Sequence, residues 1–179
     1  MKWFAGMAIA LTLSACEFVS QSLPHLPQID TRSSQQQNYR AIAQSPATAQ
    51  MEAQVLKRIN EIRQQHGLKQ LRNNEKLAAV ARNYSRQMQE QNFFSHTSPA
   101  GDTMVQRVHS AGIFYVMLGE NLFKCTNIPN PVPEGVRGWM ESPGHRENIL
   151  RPEYRETGIG VWREGNTYYF TQLFLRSLL

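Results

Sequence analysis

The residues best suited to chemistry in this 179-residue chain are two histidines and two glutamates in three short segments. Glu141 and His145 flank a Pro-Gly pair, and His96 and Glu120 lie upstream. Imidazole nitrogens and carboxylate oxygens both bind first-row divalent metals. The same groups can act as general acids and bases, because histidine titrates near neutral pH. The set therefore indicates either a divalent-cation site or a proton-transfer site.

The spacing of Glu141 and His145 does not indicate one continuous helix. Pro143 disfavours helical geometry at Ser142, so we expect a turn there. A short helix should follow from Pro143 to Leu150, with Ser142 as its N-cap. His145 then lies in the first turn, where the helix dipole opposes protonation. The neutral imidazole favoured there is the form that binds a metal.

Each of the four residues also has an ordinary structural interpretation. His96 fits a loop residue with a local hydrogen bond, and His145 fits a side chain bonded to a carbonyl. Glu120 fits the end of a strand, and Glu141 fits a surface charge in the last turn of a helix. Spacing alone does not bring the four together, because their convergence requires a fold.

The elements that must position these residues begin with helices. Apolar residues at helical spacing and residues typical of helix ends mark each one. They predict helices from about Met51 to Gly67, from Asn73 or Asn74 through Met88, from Asp102 or Thr103 to Gly112, and from Pro133 to Met140.

Strands are predicted mainly near the end of the chain. Gly158–Trp162 and Tyr168–Phe174 flank the turn pair Gly165–Asn166, and Phe114–Leu118 forms a further strand. Helices followed by a hairpin indicate an antiparallel sheet covered by helices, an α+β domain. A core of about 130 residues is large enough to fold without disulfides.

The N-terminus has the pattern of a bacterial secretory signal. Lys2 precedes the apolar run Trp3–Leu13, which is too short to span a membrane. The following Leu-Ser-Ala-Cys resembles a lipoprotein box, which predicts a signal peptide over residues 1–15 and a lipid on Cys16. A plain signal peptide cut near Ala15 and a buried N-terminal helix are the alternatives.

Residues 16–50 are rich in Gln, Ser, Pro and Ala and show no sustained apolar period. Such a segment buries too little surface to offset its chain entropy. We expect it to be a lipidated, flexible tether that holds a domain of residues 51–179 off the membrane. The chain would then be exported and anchored in the bacterial envelope, at the outer membrane or in the periplasm.

Charge and cysteines restrict the partners. The formal net charge is +5, and the basic residues are scattered, so we expect no nucleic-acid partner. Weak attraction to anionic polymers or lipid headgroups is compatible with this charge.

Cys125 has no partner if Cys16 carries lipid, so no internal disulfide is expected. A small buried apolar role for Cys125 fits better than a nucleophile or metal ligand.

Five motifs in order carry a resemblance to a known family. The domain resembles the CAP superfamily of cysteine-rich secretory, antigen 5 and pathogenesis-related 1 proteins, in its bacterial SCP-like extracellular branch, from about Met51 to Phe174. The motifs that carry the resemblance are Phe94–His96, Gly119–Leu122, Trp139–Leu150, Thr157–Val161 and Tyr168–Phe174.

The resemblance implies a three-layer α-β-α sandwich whose cleft holds a tetrad of two histidines and two glutamates. The matching positions are His96, Glu120, Glu141 and His145. It also implies a divalent cation, most simply zinc, with His96 and His145 as ligands. The disulfides of animal and plant members are missing here, and their sterol or fatty-acid binding is not carried over.

Further residues receive structural expectations. Asn148 and Gln172 should satisfy buried backbone groups near the cleft, and Trp139 should lie in the core. Phe123–Pro133, which contains Cys125 and three prolines, is expected to be a variable loop.

Two functions remain open. In the first, a membrane-tethered binding module recognises a lipid, a peptidoglycan fragment or a protein. In the second, a metal-dependent hydrolase or peptidase uses Glu120 or Glu141 as the base on a metal-bound water.

Overall fold

Residues 45–178, the part of the chain that the computed structural model describes, form five helices and four strands. The predicted signal peptide, Cys16 and residues 16–44 of the predicted tether lie outside the described residues. In chain order the elements are α1 (Pro46–Gln65), β1 (Arg72–Asn73), α2 (Glu75–Glu90), α3 (Met104–Ser110), β2 (Tyr115–Thr126), α4 (Pro131–Glu141), α5 (Pro143–Leu150), β3 (Glu156–Glu164) and β4 (Thr167–Ser177).

Helix ends follow the signals in the sequence. The Asn74 side chain accepts a hydrogen bond from the backbone N–H of Leu77 at the start of α2. Thr103 forms a capping box with Gln106 at the start of α3. Gly112 follows α3 with a φ of +67°, a conformation that favours glycine. Helix α1 begins at Pro46, five residues before the predicted domain boundary at Met51.

The sheet has the strand order β1-β3-β4-β2. Strands β2, β4 and β3 are antiparallel, while the two-residue β1 runs parallel to β3. The predicted β3–β4 hairpin is confirmed, with Gly165 in its turn at φ +57°. Strand β2 lies at one edge and extends from Tyr115 to Thr126, where it still pairs with Thr167 of β4. The loop predicted over Phe123–Pro133 is therefore wrong at both ends, because Phe123–Thr126 belong to β2 and Pro131–Pro133 belong to α4.

Helices cover both faces of the sheet, which confirms the three-layer sandwich. Helices α2 and α3 pack on one face, where Leu77, Val80 and Val108 join Leu173 and Leu175 in one core cluster. Helices α1, α4 and α5 pack on the other face around Ile59, Trp139, Ile149, Phe170 and Phe174. Trp139 is a core residue as predicted, and its indole N–H donates to the carbonyl of Leu122 at 2.9 Å.

Two glycines of β3 allow α2 to lie directly on the sheet. A Cβ built at Gly160 would approach the backbone nitrogen of Arg82 to 2.1 Å, and one at Gly158 would approach that of Ala78 to 2.3 Å. Real Cβ atoms do not come this close, so any larger residue would push the helix away from the strand. The alternating glycines of the Thr157–Val161 motif thus set the spacing between helix and sheet.

We expect Gly160→Ala to lower the free energy of unfolding by about 2–3 kcal/mol, because overpacking forces a backbone shift. Gly138→Ala in α4 is the matched control, since nothing lies within 4 Å of the added Cβ. That control should be neutral or slightly stabilising, because alanine favours a helix over glycine. Urea unfolding of both variants measures the difference, and equal stabilities would show that α2 does not rest on Gly160.

Candidate functional site

Glu120 is the centre of a buried polar cluster on the edge strand β2. Its side chain is only 2% exposed. Oε1 lies 2.8 Å from Nδ1 of His96, and Oε2 accepts a hydrogen bond from Nη2 of Arg107 at 2.7 Å. Because its two oxygens hold His96 and Arg107, the carboxylate is placed to orient the His96 ring. When the ring is neutral, Nδ1–H donates to Glu120 and the lone pair of Nε2 remains available to a ligand.

Arg107 is a functional residue that the sequence analysis missed. Its Nη1 donates to the carbonyls of His96 and Asp102, so it ties the loop after α2 to β2 through Glu120. Its guanidinium lies 3.2 Å from the centre of the Tyr84 ring. Burial raises the pKa of Tyr84 to about 12. The sequence contains a signal for this role. Arg107 lies beside Val108 on the apolar face of α3, and a buried charge there requires a partner.

Helix α5 approaches the cluster from the opposite side of the sheet. Asn148 donates to the carbonyl of Glu120 at 3.3 Å and to Oδ1 of Asn121 at 2.9 Å. Asn121 in turn donates to the carbonyl of His145 at 3.1 Å. The prediction that Asn148 satisfies a buried backbone group is confirmed. These bonds fix the first turn of α5, and therefore His145, against the strand that carries Glu120.

His145 is the third residue of α5 and is partly buried. Burial, followed by the charge of His96, lowers its pKa below the ordinary value for histidine. This lowering of the His145 pKa agrees with the expectation of a neutral imidazole. Burial and the charge of His96 cause it, rather than the helix dipole on which the expectation was based.

This shift predicts a pH dependence of stability for the metal-free protein. A histidine with a lowered folded-state pKa stabilises the fold fully above its ordinary pKa of about 6.5. The contribution is lost as the pH falls through the lower, folded-state value. We therefore expect the free energy of unfolding to fall between pH 7 and pH 5, and His145→Asn to reduce that slope. Urea unfolding across this range measures it, and an unchanged slope would contradict the assignment.

Glu141 lies at the surface end of α4. It is the last residue of that helix, its side chain is 65% exposed, and Arg137 Nη1 donates to it at 3.4 Å. It lines an open cavity of about 670 Å³ along α5, together with Arg146, Glu147 and Arg151. The structure therefore brings His96 and Glu120 to one cleft and holds the first turn of α5, which carries His145, against the strand of Glu120.

The cleft beside Glu120 has a volume of about 390 Å³. His96, Thr97, Thr103, Gly119 and Asn148 contribute to its wall. Met104 and Val105 add apolar surface to the wall. Gly119 leaves room for the Tyr154 hydroxyl, which a Cβ would approach to 2.4 Å. A space of this size accommodates a small ligand or one group of a larger ligand.

The side chains of the described residues limit the kind of metal site that is possible. Across residues 45–178, no group of three or more His, Cys, Asp or Glu side chains is arranged to hold a metal. A closed structural zinc site, which needs four protein ligands, therefore does not fit. Of the two predicted ligands, His96 has the carboxylate support typical of a metal-binding imidazole, because Glu120 lies behind its Nδ1.

The serines that flank His96 in the chain bond to other groups. The Ser95 hydroxyl accepts from the backbone N–H of Thr97, and the Ser98 hydroxyl bonds to Asp102. Cys125 is a partly buried free cysteine packed against the core, and burial raises its pKa. Gln172 donates to the Thr157 hydroxyl rather than to a backbone group, so its predicted role is wrong in detail.

Comparison with known proteins identifies the family. Residues 56–174 match the family model of CAP, the cysteine-rich secretory protein family. The chain belongs to the CAP family. It is 38% identical over 124 residues to the uncharacterized protein YkwD of Bacillus subtilis, which covers 69% of this chain and 46% of YkwD. It is 35% identical over 125 residues to the uncharacterized membrane protein YlbC of the same organism, covering 70% and 34%.

Solved structures agree with this membership. An extracellular SCP-domain protein of Bacillus anthracis is 28% identical, with a TM-score of 0.64, over 75% of this chain and 44% of that protein. An outer surface protein of Borrelia burgdorferi shares the fold at 24% identity, with a TM-score of 0.66, over 73% and 95%. This CAP chain spans less than half the length of the two Bacillus subtilis relatives. Within residues 45–178, no helix is long and apolar enough to cross a membrane.

Proposed function

We propose that this CAP domain is an exported, lipid-anchored binding module whose cleft recognises a ligand of the cell envelope. The observation that carries the proposal is the engagement of both Glu120 oxygens, by His96 and by Arg107. A carboxylate held in this way is suited to orient a binding imidazole. The anchor at Cys16 rests on the lipoprotein box, and the extracellular relative of Bacillus anthracis is in keeping with export.

The cleft would hold its ligand through a divalent cation, with zinc the first candidate. His96 would bind through Nε2, because Nδ1 faces Glu120. His145 would supply the second imidazole, and its lowered pKa keeps it neutral and able to bind near pH 7. A cation bound there would polarise oxygen atoms of a ligand. A lipid headgroup or a peptidoglycan fragment offers such oxygens, and the volume of about 390 Å³ suits one such group.

Titration with Zn²⁺ alone tests the cation site. We expect the wild-type protein to bind one ion by calorimetry at pH 7, with an affinity well below that of a four-ligand structural site. His96→Ala/His145→Ala should abolish this binding. His66→Ala/His109→Ala, which removes two histidines outside the cleft, is the matched control and should bind as wild type. Equal binding by wild type and the His96/His145 variant would refute the site.

The hydrolase alternative gains no support from a specific contact. Both Glu120 oxygens already accept hydrogen bonds, and Glu141 is exposed beside Arg137, so no contact of either residue marks it as a catalytic base. Metal-dependent cleavage of an envelope peptide library that disappears in Glu141→Gln would nevertheless establish the hydrolase and refute the binding module.

A further inference from the structure

Three apolar side chains lie exposed together where β2 begins and β4 ends. Phe114, Val116 and Leu178 are 65%, 54% and 63% exposed. Tyr115 pairs with Ser177, and Phe114 and Leu178 are the next residues beyond this last pair. The register shifts between Tyr115 and Met117, which leaves Val116 as the extra residue of a bulge.

The three side chains lie at the same end of the sheet. Phe114 directly precedes β2 and its ring contacts His109 of α3, so it lies on the side of the sheet that α2 and α3 cover. Met117 packs against the other core cluster, on the same side as the bulged Val116. These residues form what we call the β2 apolar patch, defined as Phe114, Val116 and Leu178. It lies away from Glu120 and the cleft along the same strand.

Basic groups surround the β2 apolar patch. Arg176 is exposed and shares the face of Leu178, two residues away. The ring of His109 packs edge-on against Phe114 at 6.1 Å. The ammonium of Lys76 lies near Gly112, 3.9 Å from where a Cβ would be. The neighbouring carboxylate of Glu156, which accepts a bond from Ser177, is already paired with Arg72.

We infer that the β2 apolar patch inserts into the headgroup layer of an anionic lipid membrane. Aromatic and aliphatic side chains rimmed by lysine and arginine are the composition that binds at such interfaces, through apolar burial and attraction to anionic headgroups. The net charge of +5 has the matching sign. The inference rests on the proposed location in the envelope, and it involves neither Cys16 nor the cleft. Docking would fix the orientation of the domain on the membrane.

The test uses residues 32–179, which contain the whole of the described core and lack the apolar N-terminal run. Flotation with vesicles of equal phosphatidylglycerol and phosphatidylcholine measures partitioning. We expect at least tenfold stronger binding to these vesicles than to phosphatidylcholine alone. Phe114→Ser should weaken binding at least fivefold, and Arg176→Gln should weaken it only on the anionic vesicles.

Matched controls make the result specific. Phe94→Ser removes an aromatic ring of comparable exposure, 48%, from another surface, and Arg58→Gln removes an exposed cation from α1. Both should bind as wild type, with circular dichroism confirming that every variant is folded. Absence of binding to anionic vesicles, or an equal loss in Phe94→Ser, would overturn the inference. A dimer that Phe114→Ser dissociates would overturn it in favour of a second copy as the partner. The Zn²⁺ titration is independent of all these outcomes.

Discussion

Glu120→Ala should lower the free energy of unfolding by about 3–5 kcal/mol, because it removes the carboxylate from a buried ion pair. The side chains of Glu120 and Arg107 are 2% and 8% exposed, and they meet at 2.7 Å. Without this carboxylate, the cost of keeping the Arg107 guanidinium away from water is no longer offset. Since small domains are stable by only about 5–15 kcal/mol, the loss is a large share of the total. Urea unfolding at pH 7 measures it.

Glu134→Ala is the matched control for this prediction. Glu134 also pairs with an arginine, Arg137, but both side chains are exposed. Exposed ion pairs contribute little to stability, because water and salt screen them. We expect no significant change in this variant. If the two alanine variants were equally stable, the buried pair would not hold the loop after α2 to the sheet.

The Glu120→Gln variant separates the effect of Glu120 on the orientation of His96 from its effect on the stability of the fold. An amide keeps the shape of the side chain and one acceptor, so part of the fold stabilisation should survive. The carboxylate that fixes Nδ1–H of His96 is lost, so the ring should no longer favour one tautomer. Nitrogen NMR of the imidazole reports the tautomer directly. A His96 spectrum unchanged from wild type in Glu120→Gln would contradict the orienting role of Glu120.

Arg63→Met is expected to cost about 3 kcal/mol or more, because several buried carbonyls lose their donor. Arg63 is fully buried, and its guanidinium donates to the carbonyls of Lys69, Ile149, Arg151 and Tyr154. Burial, with the charge of Arg155, lowers its pKa. The side chain therefore caps the C-terminal end of α5 with positive charge, where it also favours the helix dipole.

Arg63→Met should loosen α5 locally in addition to lowering the stability of the whole domain. Hydrogen exchange of α5 in Arg63→Met should increase more than that of the β3–β4 hairpin, because the freed carbonyls lie at the end of α5. His145 belongs to this helix, so its position in the cleft depends on a residue of α1. Arg58→Met, an exposed position of the same helix, is the control and should leave stability and exchange unchanged. Uniform protection in both variants would refute this role.

Much of the fold follows from signals within a few residues of one another. Asn74 and Thr103 cap helices because their side chains reach backbone N–H groups three residues on. Pro143 starts α5 for a local reason too, since its fixed φ suits a first helical turn. The apolar period of the helices predicts which faces are buried. These features are visible in the sequence because each depends on its own neighbours in the chain.

The partners of the site residues depend on distances that the sequence does not contain. Glu120 meets His96 and Arg107 only because β2, α3 and the loop between α2 and α3 pack together. Glu141 matches the family motif, yet it pairs with Arg137 on the surface of α4.

The sequence by itself thus determined most of the elements, the caps at Asn74 and Thr103, the family motifs and the identity of the polar residues. The tertiary structure alone decided which carboxylate stands behind an imidazole, which arginine is buried against backbone carbonyls, and which glycines must remain without a Cβ. The physical reason is the distance along the chain over which each interaction acts. Capping and periodicity act over one turn of chain, whereas the pairing and desolvation of charges depend on what remote segments bring into contact.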